Sequence, residues 1–126
     1  MRITILTATI ALIIDDPQEA ILITGALRLE GYEIRKLAPM HSLGELPHTA
    51  PDIIMIQVGW DVERDLSLIQ DIRLDSRFDD VPILALSMLD MEDVRRQCME
   101  LGCQSFVIQP VPPPELRSIV QDLLAQ

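Results

Sequence analysis

Short unbroken apolar runs alternate along this chain with longer stretches in which apolar residues recur at helical spacing. Residues 10–14 (IALII) are apolar throughout, as in a strand buried on both faces. Asp16 then offers a side-chain cap, and Pro17 suits the first helical position. The helix that follows is expected to turn Ile21, Leu22, Leu27 and Leu29 inward and to stop at Gly31. A shorter strand is expected over 33–37. Residues 38–49, with Pro39, Gly44 and Pro47, read as loop around a short helix. A third buried strand covers 53–58 (IIMIQV), and a helix over 63–75 presents Leu66, Ile69 and Ile72 at helical spacing. Strand four is expected over 82–86, a helix over 91–101 closed by Gly102, and strand five over 105–108. Pro112 to Pro114 precede a last helix carrying Leu116, Ile119, Val120 and Leu123. Five strands alternating with five helices imply parallel strands joined by right-handed crossovers, a doubly wound α/β fold. No repeat, low-complexity tract or linker interrupts 1–126. One domain is therefore expected, with residues 1–9 as an N-terminal extension and no output domain after the last helix.

Composition narrows the partners. Apolar residues make up 48% of the chain but aromatics only 3%, so the core must be aliphatic. A net charge of −10 argues against nucleic acid and anionic membranes, which need a basic surface, and suits protein partners. The apolar run over 3–14 superficially resembles a signal peptide. It lacks a small-residue cleavage site, runs straight into Asp15 and Asp16, and is too short to span a bilayer, so the cytoplasm is the expected location. Cys98 and Cys103 form no disulfide framework and read as small buried hydrophobes. His41 and His48 read as solvated loop residues rather than metal ligands.

In an open parallel sheet, chemistry gathers beyond the carboxyl ends of the strands. The residues there are Asp15 and Asp16 after strand one, Gln57 at strand three, Ser87 after strand four and Gln109-Pro110 after strand five. The stretches IALIIDDPQEA, LRLEGYEI, PDIIMIQV, FDDVPILALS, ELGCQSFVIQP and PPELRSIVQDLL stand in an order and spacing, thirty residues from Gln57 to Ser87 and twenty-two from Ser87 to Gln109, that resembles the receiver domains of response regulators. The likeness covers nearly the whole chain. It implies a flavodoxin-like, CheY-like sheet of five parallel strands in the order 2-1-3-4-5.

The resemblance also implies an acidic pair for Mg²⁺ at Asp15 and Asp16, a metal-facing carbonyl at Gly59, a hydroxyl at Ser87 and a switching aromatic at Phe106. It implies a cis bond at Gln109-Pro110. At the positions of the family's phospho-acceptor aspartate and its lysine, this chain carries Gln57 and Gln109. A carboxamide is uncharged and a poor nucleophile, and Gln is one methylene longer than Asp. Nothing at 109 would neutralise an incoming phosphoryl group, and with Gln57 replacing a carboxylate the Mg²⁺ site is expected to be weak or lost. The loop GWDVERD departs from the family too, with Asp61 and Asp65 where Pro and Gly are usual and Trp60 expected to be exposed near the pocket. Plain readings stand beside these: Asp16 as a helix cap, Ser87 bonded to backbone, Phe106 as core, Trp60 as a lone surface aromatic. A carboxylate pair with neither lysine nor metal nearby would repel itself, so one member is expected to titrate high.

The expected function is a pseudo-receiver: a phosphorylation-independent signalling module, not an enzyme and without a cofactor. It would bind a protein (a kinase, an output protein or itself) in a two-component-type pathway. The alternative is a small-ligand sensor using a polar cleft of Gln57, Gln109, Ser87 and the acidic pair. A homodimer is expected to use the helix over 91–101, strand five and the last helix, where Arg95, Arg96 and Asp122 permit pairing between protomers. For residues 2–9 the sequence leaves three readings open: pairing with another chain, disorder, or the product of an upstream start.

Overall fold

The computed structural model describes residues 7–37 and 49–126. The elements in chain order are β1 (Thr9–Ile13), α1 (Pro17–Arg28), β2 (Glu33–Leu37), β3 (Ile53–Gln57), α2 (Val62–Leu74), β4 (Ile83–Ser87), α3 (Glu92–Leu101), β5 (Ser105–Ile108) and α4 (Pro113–Leu124). A single 3₁₀ turn, Ser76–Phe78, follows α2. The strands form one parallel sheet in the order β2-β1-β3-β4-β5. This is the expected fold. Among the described residues there are four α-helices rather than five; the expected short helix around 38–49, both histidines and most of 2–9 lie outside the described residues.

Strand alternation sorts the core into two layers. Ile10, Leu12, Ile53, Met55, Leu84 and Leu86 pack on one face with Ile23 and Leu27 of α1 and Leu116, Val120 and Leu123 of α4. Ala11, Ile13, Ile54, Ile56, Ile83 and Ala85 pack on the other with Ile69 and Ile72 of α2 and Val94 and Cys98 of α3. Both faces of the three central strands are covered, which explains why their sequences are unbroken apolar runs. Each such aliphatic side chain contributes about 1.5–3 kcal/mol on burial. Cys98 and Cys103 are free and buried, as expected.

Helix α1 corrects the expected inward face. Ile21, Leu22 and Leu29 are 63%, 66% and 86% exposed, whereas Ile23, Thr24 and Leu27 are buried and Ala20 packs beside them. Positions 20, 23, 24 and 27 make an i, i+3, i+4, i+7 stripe. The surrounding stretch AILITGAL is apolar nearly all round, so periodicity alone did not select this phase. Helices α2 and α4 bury Ile69, Ile72, Leu116, Val120 and Leu123 as expected, with Leu66 and Ile119 partly buried at their edges.

Gly102 ends α3 at φ 111°, a left-handed conformation that glycine alone adopts cheaply. Its N–H reaches the carbonyls of Cys98 and Met99, and Cys103 N–H reaches that of Cys98. Arg73 lies against this turn. Its guanidinium donates to the carbonyls of Gly102, Phe78 and Val81 and to Gln104 Oε1, at 2.6–3.1 Å, and burial pushes its pKa down. One side chain thus ties α2 to the turn before β5.

Candidate functional site

The site is built where β1, β3, β4 and β5 end. Gln57 continues the parity of Ile53 and Met55, so its side chain sits on the α1 side of the sheet. It is 4% exposed, and Gln109 in the loop after β5 is 6% exposed. Asp16 N–H donates to Gln57 Oε1 at 3.3 Å, Gln57 Nε2 donates to Gln109 Oε1 at 2.9 Å, and Gln109 Nε2 donates to Glu19 Oε2 at 3.1 Å. A backbone N–H can only donate and an ionised carboxylate can only accept, so the two ends set the direction of both amides. The row is self-satisfied, as buried polar groups must be. Gln109-Pro110 is cis, as the resemblance implied.

Asp16 is a helix cap in this structure. Its Oδ1 accepts from Gln18 N–H at 2.9 Å and Glu19 N–H at 3.5 Å, an arrangement worth about 1 kcal/mol. Asp15 turns the other way. Its Oδ2 accepts from Arg64 Nη2 at 2.7 Å, and the same nitrogen lies 3.2 Å from Asp65 Oδ1. The acidic pair therefore has a cation beside it, contrary to the expectation of an uncompensated pair. Arg64 is held above the usual guanidinium pKa, first by its hydrogen bond to Asp15.

The carboxylate driven upward is Asp65, 5% exposed, because burial outweighs the opposing pull of Gly59 N–H and Arg64. Asp61, in the position where the family usually has Pro, caps α2 by accepting from Arg64 N–H at 3.1 Å. Asp65, in the usual Gly position, accepts Gly59 N–H at 3.1 Å through Oδ2. Gly59 itself has φ 155°, reachable at little cost only without a Cβ. These contacts give the divergent loop a defined shape.

Ser87 is fully buried, and its Oγ accepts Leu89 N–H at 3.0 Å. Phe106 is half-buried, packed against the α2–α3 side of the core and beside Met91, Arg95 and Ile108. Trp60 is 71% exposed, as expected. It borders a cleft of about 220 Å³ lined by Gln57, Val58, Gly59, Met88 and Leu89. That lining is mainly apolar, and the amides that were to make a polar cleft are bonded to each other and to Glu19. On the α3–α4 face, Arg96 is engaged within its own helix, 3.1 Å from Asp93 and 3.9 Å from Glu100.

The donor set does not suit Mg²⁺, which wants several oxygens free to take octahedral positions. Asp15 Oδ2 holds Arg64, Asp16 Oδ1 holds the N-terminus of α1, and Gln57 Oε1 holds Asp16 N–H. Among the described residues, no group of three or more His, Cys, Asp or Glu side chains is placed to hold a metal ion.

Two partners in the site, Glu19 and Arg64, were not expected from the sequence. Glu19 follows the cap by one turn, and Arg64 follows Asp61 by three residues, so each looked like an ordinary first-turn residue. Their contacts span 90 and 49 positions, and nothing local signals them.

Comparison with known proteins agrees with this architecture. A solved structure of the Vibrio cholerae chemotaxis protein CheY4 superposes with a TM-score of 0.83 at 19% identity, covering 94% of this chain and 99% of that one. The receiver domain of the sensor histidine kinase PA1611 from Pseudomonas aeruginosa, solved with a magnesium ion coordinated in its active site cleft, gives a TM-score of 0.84 at 24% identity, covering 96% and 100%. Response regulator Rre1 of Synechocystis sp. is 31% identical over 81 residues, which is 64% of this chain and 35% of that protein, so the chain spans about a third of that relative. The family model described as the response regulator receiver domain matches residues 10–121, and the chain accordingly belongs to the response regulator receiver domain family.

Proposed function

We propose that this receiver domain of two-component signalling works without phosphorylation, by binding a protein partner. The observation that carries this reading is the row Asp16–Gln57–Gln109–Glu19, buried at its two central amides and part-buried at its ends. A phosphoryl acceptor must present a carboxylate to solvent and donor, with a cation waiting for the charge that arrives. Here the acceptor position is an amide with its oxygen already bonded, and the position that would neutralise charge is a second amide bonded to an acid. Among the described residues, the carboxylates of Asp15, Asp16 and Glu19 at this end would further repel a phosphoryl donor, with Arg64 as an opposing charge.

The domain is then an adaptor rather than an enzyme, with no Mg²⁺ or other cofactor and a cytoplasmic place in its pathway. A kinase, an output protein or a second copy of the chain fits this role. Net charge −10 supports a protein rather than a nucleic acid or an anionic membrane. No helix among the described residues is long and apolar enough to cross a membrane. Exposed Trp60 and Met88 beside the cleft add to the interaction reading, since aromatics are favoured anchors. The cleft, at about 220 Å³, falls below the roughly 300–1,000 Å³ of typical small-molecule sites. Nothing therefore favours the small-ligand reading over the adaptor.

The test is incubation with a small acyl phosphate and Mg²⁺, followed by intact mass measurement. The mass is expected to stay unchanged; an acid-stable, base-labile gain of one phosphoryl group would overturn the proposal. Gln57→Asp alone is also expected to stay unlabelled, because Gln109 brings no charge and the new carboxylate joins an acidic neighbourhood. Robust labelling of that variant would mean that Gln109 is no obstacle.

A further inference from the structure

Arg64 bridges separate segments of the chain at this end of the sheet. Its Nη2 joins Asp15, beyond β1, to Asp65 on α2; Asp65 in turn holds Gly59 N–H, beyond β3. Three separate chain segments thus meet at one positive group. We propose that Arg64 is a tethered counter-ion that takes over the work of a divalent cation at this site and fixes the loop carrying Trp60 in one arrangement, whatever the divalent concentration around it.

The physical case rests on charge and on reach. Asp65 is nearly inaccessible to solvent, and a buried carboxylate without a cation is costly. Asp15 is only partly exposed, with 24% of its side chain accessible, and it shares that cation. A guanidinium forks rigidly and can address both carboxylates at once, whereas an ammonium acts as a point charge. Being attached to the first turn of α2, it competes at an effective concentration that a free ion must exceed. Mg²⁺ must in addition shed tightly held water to displace it.

Divalent binding in this protein would therefore cost the Arg64 contacts, so wild-type Trp60 should not sense the ion. The inference concerns the cation position alone and stands or falls apart from the choice of protein partner.

Trp60 is the chain's single tryptophan and directly follows Gly59, so its emission reports on this loop without a label. The full chain is titrated with Mg²⁺ and, separately, Mn²⁺ to millimolar concentration, following Trp60 emission and paramagnetic quenching. Wild type is expected to be silent to both. Arg64→Gln is expected to shift Trp60 emission and to bind Mn²⁺ at least about ten-fold more tightly, because a unit positive charge leaves the two carboxylates. Asp15→Asn is expected to shift emission without gaining the response to Mn²⁺, since it removes Arg64's partner and a cation ligand together.

A purely packing role for Arg64 would lower stability in Arg64→Gln and leave it as silent as wild type, and that silence would overturn the proposal. So would a wild-type response equal to that of the variant. Should Arg64→Gln fail to fold, the wild-type titration and the Asp15→Asn emission remain decisive: a wild-type response, or an unshifted Asp15→Asn spectrum, overturns it.

Discussion

Asp65 shows how one residue can carry opposing instructions. It accepts Gly59 N–H and pairs with Arg64, both of which favour the charged form, yet burial still raises its pKa above the ordinary carboxylate value. The native state therefore keeps Asp65 protonated to higher pH than the unfolded chain does. Where the folded form binds more protons, stability falls as pH rises. The contribution of Asp65 is thus most favourable at or below the unfolded carboxylate pKa and is lost as pH climbs through the raised value. In urea titrations at several pH values, wild type is expected to lose stability relative to Asp65→Asn as pH rises across that window. A difference that stays flat, or grows in favour of wild type, would contradict the sign.

At the scale of elements, the turn between α3 and β5 is fixed by Gly102 and clamped by Arg73. A Cβ at Gly102 would sit 3.1 Å from Arg73 Cδ and Nε, tighter than ordinary contact, in addition to the cost of a left-handed alanine. Gly102→Ala is expected to destabilise the fold by about 1–2 kcal/mol, seen as a lower urea midpoint at unchanged slope. An unchanged midpoint would mean that the turn relaxes freely. This element was legible from the start, because an amphipathic run ending in Gly names its own stop. Strands β2 and β5 were equally legible, matching their expected bounds, since each is a short run enclosed by turn residues. The inward face of α1 was not: with apolar residues on every side, only packing into the core layer of β1, β3, β4 and α4 singles out Ile23 and Leu27.

The same division holds in the site. The positions of Gln57, Ser87 and Gln109 followed from strand ends alone, whereas their bonding did not, because Glu19 and Arg64 enter through the reach of long side chains across loops.

Across the whole molecule, charge dominates. A net −10 on 126 residues makes the compact state repel itself, while the exposed ion pairs such as Arg35–Glu33 and Arg96–Asp93 are each worth only about 0–1 kcal/mol. Added salt screens both, and the long-range repulsion is the larger. The melting temperature is expected to rise when sodium chloride is raised from about 10 to about 100 mM, as the screening length shrinks from roughly 30 to 10 Å. A fall would mean that the local pairs, Arg64 with Asp15 foremost, outweigh the global field.

The row of amides has one further consequence, written in deuterium. A carboxylate and a lysine would trade protons with water quickly, but Gln57 and Gln109 are 4% and 6% exposed and each gives a side-chain hydrogen to a neighbour. Those hydrogens can leave only when this end of the sheet opens. After transfer into heavy water, two glutamine side-chain signals are expected to outlast the rest, and their decay would time the breathing of the vestibule. Signals lost as fast as those of surface glutamines would show a gate that stands ajar.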